Sequence, residues 1–205
     1  GYQRQFGELA TETLAFGNNY AAALVEQELR GEAIEVLIEV TSGMRRALDP
    51  SDRRIWIGIC NLAACHARRG ESRLALKWFQ EALAWSKDYL PEADPNRLRL
   101  LDAVGGQLVD LGRAEDAVPL YRELMESADL NPQLTPLSRS EFRLGFANCL
   151  LAADRLEDAV EQFDTLVEME RARVTDPESP WLKELDEMRQ KARTRWEAAE
   201  LAEEG

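Results

Sequence analysis

Four alanines set the frame for this chain. Ala33, Ala75, Ala117 and Ala159 stand 42 residues apart, and other positions keep step with them. Four residues beyond each alanine comes Leu37, Phe79, Tyr121 or Phe163, and seven beyond comes Val40, Ala82, Leu124 or Leu166. Twelve residues before come Ala21, Ala63, Gly105 and Ala147, preceded by Tyr20, Leu62, Val104 and Phe146. Offsets of 4 and 7 share one face of a helix, so each block reads as a pair of amphipathic helices. The pair is plainest from Asn61 to Leu83, where two helices meet at Gly70. One such hairpin cannot bury its own apolar stripe. A fixed period therefore implies that neighbours stack on one another, each covering the last.

A large residue, a Gly or Ala, a Gly-type turn, then Ala, an aromatic and a small or apolar residue resembles the tetratricopeptide repeat. That repeat usually has a period of about 34 residues. The longer period here resembles the long-repeat subclass known from kinesin light chains and bacterial signalling proteins. Asn61–Ala63 and the stretch AVPLYRELM at Ala117–Met125 look most like that subclass. The resemblance covers roughly residues 14 to 173. His66 departs from it by replacing the usual Tyr, and Glu28 and Asp154 by replacing the turn glycine. It implies an all-α, right-handed superhelical solenoid of helix-turn-helix repeats forming a single domain over residues 1–205. The expected repeats are 14–55, 56–97, 98–139 and 140–178, followed by a C-terminal capping helix at 179–203.

The local signals agree with helices. The spacing of Phe6, Leu9, Thr13, Phe16 and Tyr20 predicts helix from residue 3 to 28, running through Gly17. A second helix is expected from Gly31 to Ala47. Asp49-Pro50, Asp94-Pro95, Thr135-Pro136 and Ser179-Pro180 each pair a capping side chain with a proline suited to the first helical position. Pro119 falls inside a helical pattern, where a bend is expected. Trp181, Leu185, Met188, Ala192 and Trp196 form the stripe by which the last helix would bury against the fourth repeat, while Arg189 stands where the family has Gly or Ala.

Composition narrows the function classes. Hydrophobic residues make up 45% of the chain, enough for a packed core, and no run of about 18 apolar residues would span a bilayer. No secretory signal pattern opens the chain, which begins with Gly1 rather than Met; a cytoplasmic piece of a longer protein is the expectation. Cys60, Cys65 and Cys149 read as buried, unpaired thiols. Cys60, Cys65 and His66 diverge round a helix and have no second cluster to complete a zinc site, so no metal or cofactor is expected. The single histidine and the absence of any catalytic grouping point away from an enzyme.

Net charge is −13 and unevenly spread: residues 154–205 carry 16 acidic and 8 basic groups, residues 51–77 carry 6 basic and 2 acidic. An acidic chain with one small basic block argues against nucleic acid as a partner. In the resembled family the first helix of each repeat lines a concave groove, where asparagines hold the backbone of an extended peptide. An amide suits that role because it offers donor and acceptor together. The matching positions are Asn19, Asn61, Ala103 and Gly145, with Asn148 at a second groove position. The same alignment turns Arg68 and Arg99 toward the groove, with Asp102 and Asp110. Ala22 and Ala103 occupy positions of the basic clamp used by chaperone-binding relatives. The resulting expectation is a protein- or peptide-binding scaffold, with an acidic peptide as the partner. The alternatives are a self-assembly module and a sensor or regulatory segment of a larger signalling protein. The asparagines have an alternative role too, tying helices to each other.

Overall fold

The computed structural model describes residues 11–176 and 178–203, and every regular element among them is a helix. In chain order these are α1 (Thr11–Glu26), α2 (Arg30–Ala47), α3 (Arg53–Arg68), α4 (Ser72–Tyr89), α5 (Pro95–Asp110), α6 (Ala114–Asp129), α7 (Pro136–Ala152), α8 (Leu156–Arg173) and α9 (Pro180–Glu203). Residues 3–10, the start of the expected first helix, lie outside the described residues. The chain forms two compact units, Gly1–Pro91 and Glu92–Gly205. In the first unit α1 pairs with α2, α3 pairs with α4, and α2 packs on α3. In the second, α5 pairs with α6 and α7 with α8, while α9 packs on α8.

The turn inside each hairpin follows one design. Glu28, Gly70, Gly112 and Asp154 all have positive φ, from 57° to 71°, and they stand 42 residues apart. After each, the next amide bonds back five residues: Leu29 to Leu24, Glu71 to His66, Arg113 to Leu108 and Arg155 to Leu150, at 2.8–3.0 Å. This closes the orphan carbonyls of the first helix and reverses the chain. Glycine takes the left-handed conformation without steric cost; Glu28 and Asp154 adopt it against the steric cost that a Cβ carries there.

The small residues sit where the period put them. Ala33, Ala63, Ala75, Ala117, Ala147 and Ala159 are all fully buried. At Gly17 an added Cβ would come 2.4 Å from a Val40 methyl, and at Gly105 it would come 2.5 Å from the Tyr121 ring. These contacts hold α1 on α2 and α5 on α6. Helix α1 runs straight through Gly17, as the spacing predicts. Phe79 is only half-buried and Tyr20 is exposed; no described helix precedes α1.

Asp94, Thr135 and their prolines start α5 and α7, each cap accepting a backbone N–H. The expectation at Asp49-Pro50 is corrected. Asp52 caps α3 by accepting from the Arg54 amide, while Asp49, exposed in the preceding turn, accepts from the amide and hydroxyl of Ser51. Two aspartates three residues apart competed for one cap, and the Pro50 corner left only the second aligned with the helix. Trp85 donates its indole N–H to the Pro50 carbonyl at 2.9 Å, fixing that corner to α4. Helix α6 continues on both sides of Pro119.

The last helix is held by apolar packing, by ion pairs and by a bond to Glu170. This carboxylate, 1% exposed, accepts from Ser140 on α7 at 2.5 Å, from Arg173 at 2.6 and 3.2 Å, and from the Trp181 indole at 3.0 Å. Leu185 and Ala192 of α9 are fully buried against the Leu166, Val167 and Ala147, Val160, Phe163 clusters. Trp181, Met188 and Trp196 are half-buried beside them. Arg189 pairs with Asp186 and Asp164.

Candidate functional site

In the first unit α1 and α3 run side by side above α2, and a cleft of about 330 Å³ lies between them. Its floor is apolar: Ala21, Ala22 and Val25 from α1, Leu37 from α2, and Ala64 and Cys65 from α3. Small side chains along both helices leave the cleft open, and Leu37 and Cys65 close it from below. Asn61, Arg68 and Glu26 form its polar rim.

Asn61 and Arg68 are therefore brought together on one face of α3, seven residues and about 10 Å apart along the helix. Asn61 is half-buried and donates from Nδ2 to Oδ1 of Asn18 on α1 at 3.1 Å. This pair leaves Asn61 Oδ1 and Asn18 Nδ2 uncommitted, an acceptor and a donor side by side. Arg68 is exposed; its charge and that of Arg30 act on the Cys65 thiol, whose pKa burial raises. Asn19, the residue expected beside Asn61, is exposed on α1 and does not line the cleft. Asn18, which is not among the lining residues either, is the α1 residue that bonds Asn61.

Arg99 and Asn148 belong to the second unit, on α5 and α7; Arg99 is exposed and Asn148 half-buried. Asp102 on α5 is held in a tight setting there. Its Oδ1 accepts from the Tyr121 hydroxyl at 3.2 Å, and a Cβ placed on Gly145 of α7 would come 2.8 Å from the same oxygen. Burial pushes the Asp102 carboxyl up to about 6, partly offset by the Tyr121 hydrogen bond. Asp110 is exposed at the end of α5.

The remaining reactive side chains are buried, half-buried or paired. His66 is buried, with Nδ1 2.6 Å from Glu71 Oε2 across the hairpin turn, and Arg69 pairs with the other Glu71 oxygen at 3.0 Å. All three cysteines are free, and burial pushes Cys60 up to about 12 and Cys149 to about 11, so neither is a thiolate at neutral pH. Among the described residues no group of three or more His, Cys, Asp or Glu side chains could hold a metal, and no helix is long and apolar enough to cross a membrane.

No family model matches the sequence. Comparison with curated proteins also finds no match. Solved structures do resemble the fold. The nearly identical, kinesin light chain-like TPR repeats of Podosopora anserina match with a TM-score of 0.71 at 19% identity, covering 90% of this chain and 92% of that one. YrrB, described as a TPR protein with an unusual peptide-binding site, matches with a TM-score of 0.54 at 19% identity, over 76% of this chain and 68% of its own. Bacillus thuringiensis PlcR, solved with the peptide PapR7 and DNA, matches with a TM-score of 0.59 at 12% identity, over 94% of this chain and 66% of its own. Stacked hairpins, left-handed turn residues at a constant interval and these likenesses agree: the chain has the all-α fold of the TPR-like helical repeat proteins.

Proposed function

We propose that this protein is an interaction scaffold that binds an extended peptide, and that the cleft between α1 and α3 is its site in the first unit. The observation that carries the reading is the Asn18–Asn61 pair at the edge of an apolar cleft. Its free acceptor and donor match the N–H and C=O of one peptide unit. The cleft floor accepts an apolar side chain, and Arg68 stands about three extended residues further on, where it favours an acidic residue in the ligand. YrrB and PlcR, which share the fold, have printed descriptions naming a peptide-binding site and a bound peptide, which supports the same use here. Asn19 on α1, and Arg99 and Asn148 on α5 and α7, are proposed as further contacts, each within its own unit.

The test begins with selection of peptides from a random library on the wild-type chain. A neutral amide–backbone hydrogen bond is worth about 0.5–1.5 kcal/mol net, so Asn61→Ala is expected to weaken a selected peptide several-fold. The same substitution also removes the bond to Asn18, while the apolar cluster shared by α1 and α3 stays intact, so binding is measured well below the melting temperature. Arg68→Glu is expected to weaken binding more, with a loss that shrinks as salt screens the reversed charge. Selected peptides that bind both variants with wild-type affinity would place the ligand outside this cleft.

A further inference from the structure

A second groove lies in the second unit, between α8 and α9, with a volume of about 540 Å³. Val160 and Trp196 give it an apolar floor, continuous with the core cluster of Ala147, Phe163 and Ala192. Its walls carry five carboxylates, Glu157, Glu161, Asp164, Glu168 and Glu197, against the single cation Arg193. Arg193 is occupied by Asp164, at 2.8 Å, and Arg189 approaches the same carboxylate at 3.6 Å. The four glutamates enter no ion pair found among the described residues.

We propose that this groove docks a basic amphipathic helix of a partner protein. The acidic groups do not converge, as the ligands of a metal ion would; they are strung along α8 at positions 157, 161 and 168, with Glu197 facing them from α9. Eleven residues of helix span about 16 Å, or three turns. A distributed row of that length is complementary to cations repeated along a helix, not to one compact charge. The half-buried indole of Trp196 adds an aromatic face on which a lysine or arginine stem and its charge can both rest. A third helix laid between two others packs at about 8–10 Å from each axis, with its apolar side chains on the floor and its cations at the walls. The groove shares no residue with the proposed peptide cleft of the first unit, so the two sites fail or stand separately.

The probe is a fluorescein-labelled 18-residue helix with leucines on one face and lysines on the other, titrated into the full chain by anisotropy at physiological salt. Saturable one-to-one binding is expected. The double variant Glu157→Lys/Glu161→Lys alters only exposed positions and is expected to weaken binding tenfold or more. Glu35→Lys/Glu39→Lys, on exposed positions of α2, changes net charge equally and is expected to change affinity less than twofold. Trp196→Leu keeps the floor apolar and removes the aromatic face, for an expected loss of threefold or more. Equal losses from the two double variants would reduce the effect to general charge attraction and overturn the proposal. So would an absence of binding, or equal binding of a proline-interrupted probe of the same composition. If the chain alone forms salt-sensitive oligomers that Glu157→Lys/Glu161→Lys dissolves, the occupant is a second copy and a foreign helix is ruled out.

Discussion

Asp102 gives a prediction with a definite sign. Its carboxyl is held between α5, the Tyr121 ring and hydroxyl of α6, and Gly145 of α7, with Glu141 as a like charge acting on it. Burial raises its pKa from 3.8 to about 6. Below pH 4 the folded and unfolded chains both hold the proton. Between pH 4 and 6 the unfolded chain has lost it and the folded chain keeps it, so the folded state binds more protons and stability falls as pH rises. Above pH 6 the loss is complete. A shift of roughly two units is worth about 3 kcal/mol. Asp102→Asn keeps an acceptor for the Tyr121 hydroxyl and cannot ionise. It should match wild type near pH 4 and exceed it by about 3 kcal/mol at pH 7, or roughly 6–12 °C in melting temperature for a chain of this size. Paired urea or thermal melts of the two proteins from pH 4 to 7.5 measure this. A stability difference that stays flat across that range would refute the buried-carboxylate account.

At Gly70 φ is 71° and an added Cβ meets nothing within 4 Å, so Gly70→Ala isolates the backbone cost and is expected to destabilise by about 1–2 kcal/mol, read by denaturant midpoint. Glu28→Gly, at the equivalent turn with φ 62°, is expected to raise stability by up to about 1 kcal/mol; a loss there would contradict the shared turn design. Glu170→Gln should cost about 1.5–3 kcal/mol at pH 7, because it replaces the charged acceptor shared by Arg173, Ser140 and Trp181. Arg173 first, then Ser140 and Trp181, hold the Glu170 pKa below 4.5. Its stabilisation is therefore present above that value and lost as pH falls through the folded pKa, so the gap between variant and wild type should close in acid; a constant gap would exclude the charge as its source.

The helices, their pairing and the buried alanines were legible because the repeat places a small residue wherever two helices approach, at one constant interval. Positions that depend on facing flanks were less legible. Asn19 and Asn61 are equivalent by the period, yet the bond joins Asn18 to Asn61, 43 residues apart. Side-by-side helices present opposite flanks to each other, so equivalent residues point the same way and need not meet. The adjacent Asn18-Asn19 doublet was the only available signal. The cap of α3 was missed for a different reason: Asp49 and Asp52 both carry the acceptor, and only the course of the chain at Pro50 chooses between them. Glu170 did leave a trace. It falls seven residues after Phe163 on the apolar stripe of α8, a position that buries any side chain placed there. The partners that neutralise it come from α7 and α9 and carry no repeat signal. The burial of Asp102 likewise depends on Gly145 and Tyr121, 43 and 19 residues away, and the fold alone brings them together.

The measurement that tests the central claim most directly is hydrogen–deuterium exchange of the full chain with and without a library-selected peptide. Binding in the α1–α3 cleft predicts new protection in the first unit at Ala21–Glu26 and Asn61–Arg68, the two helix stretches that line it. Protection that leaves both stretches unchanged and appears on other helices would contradict it.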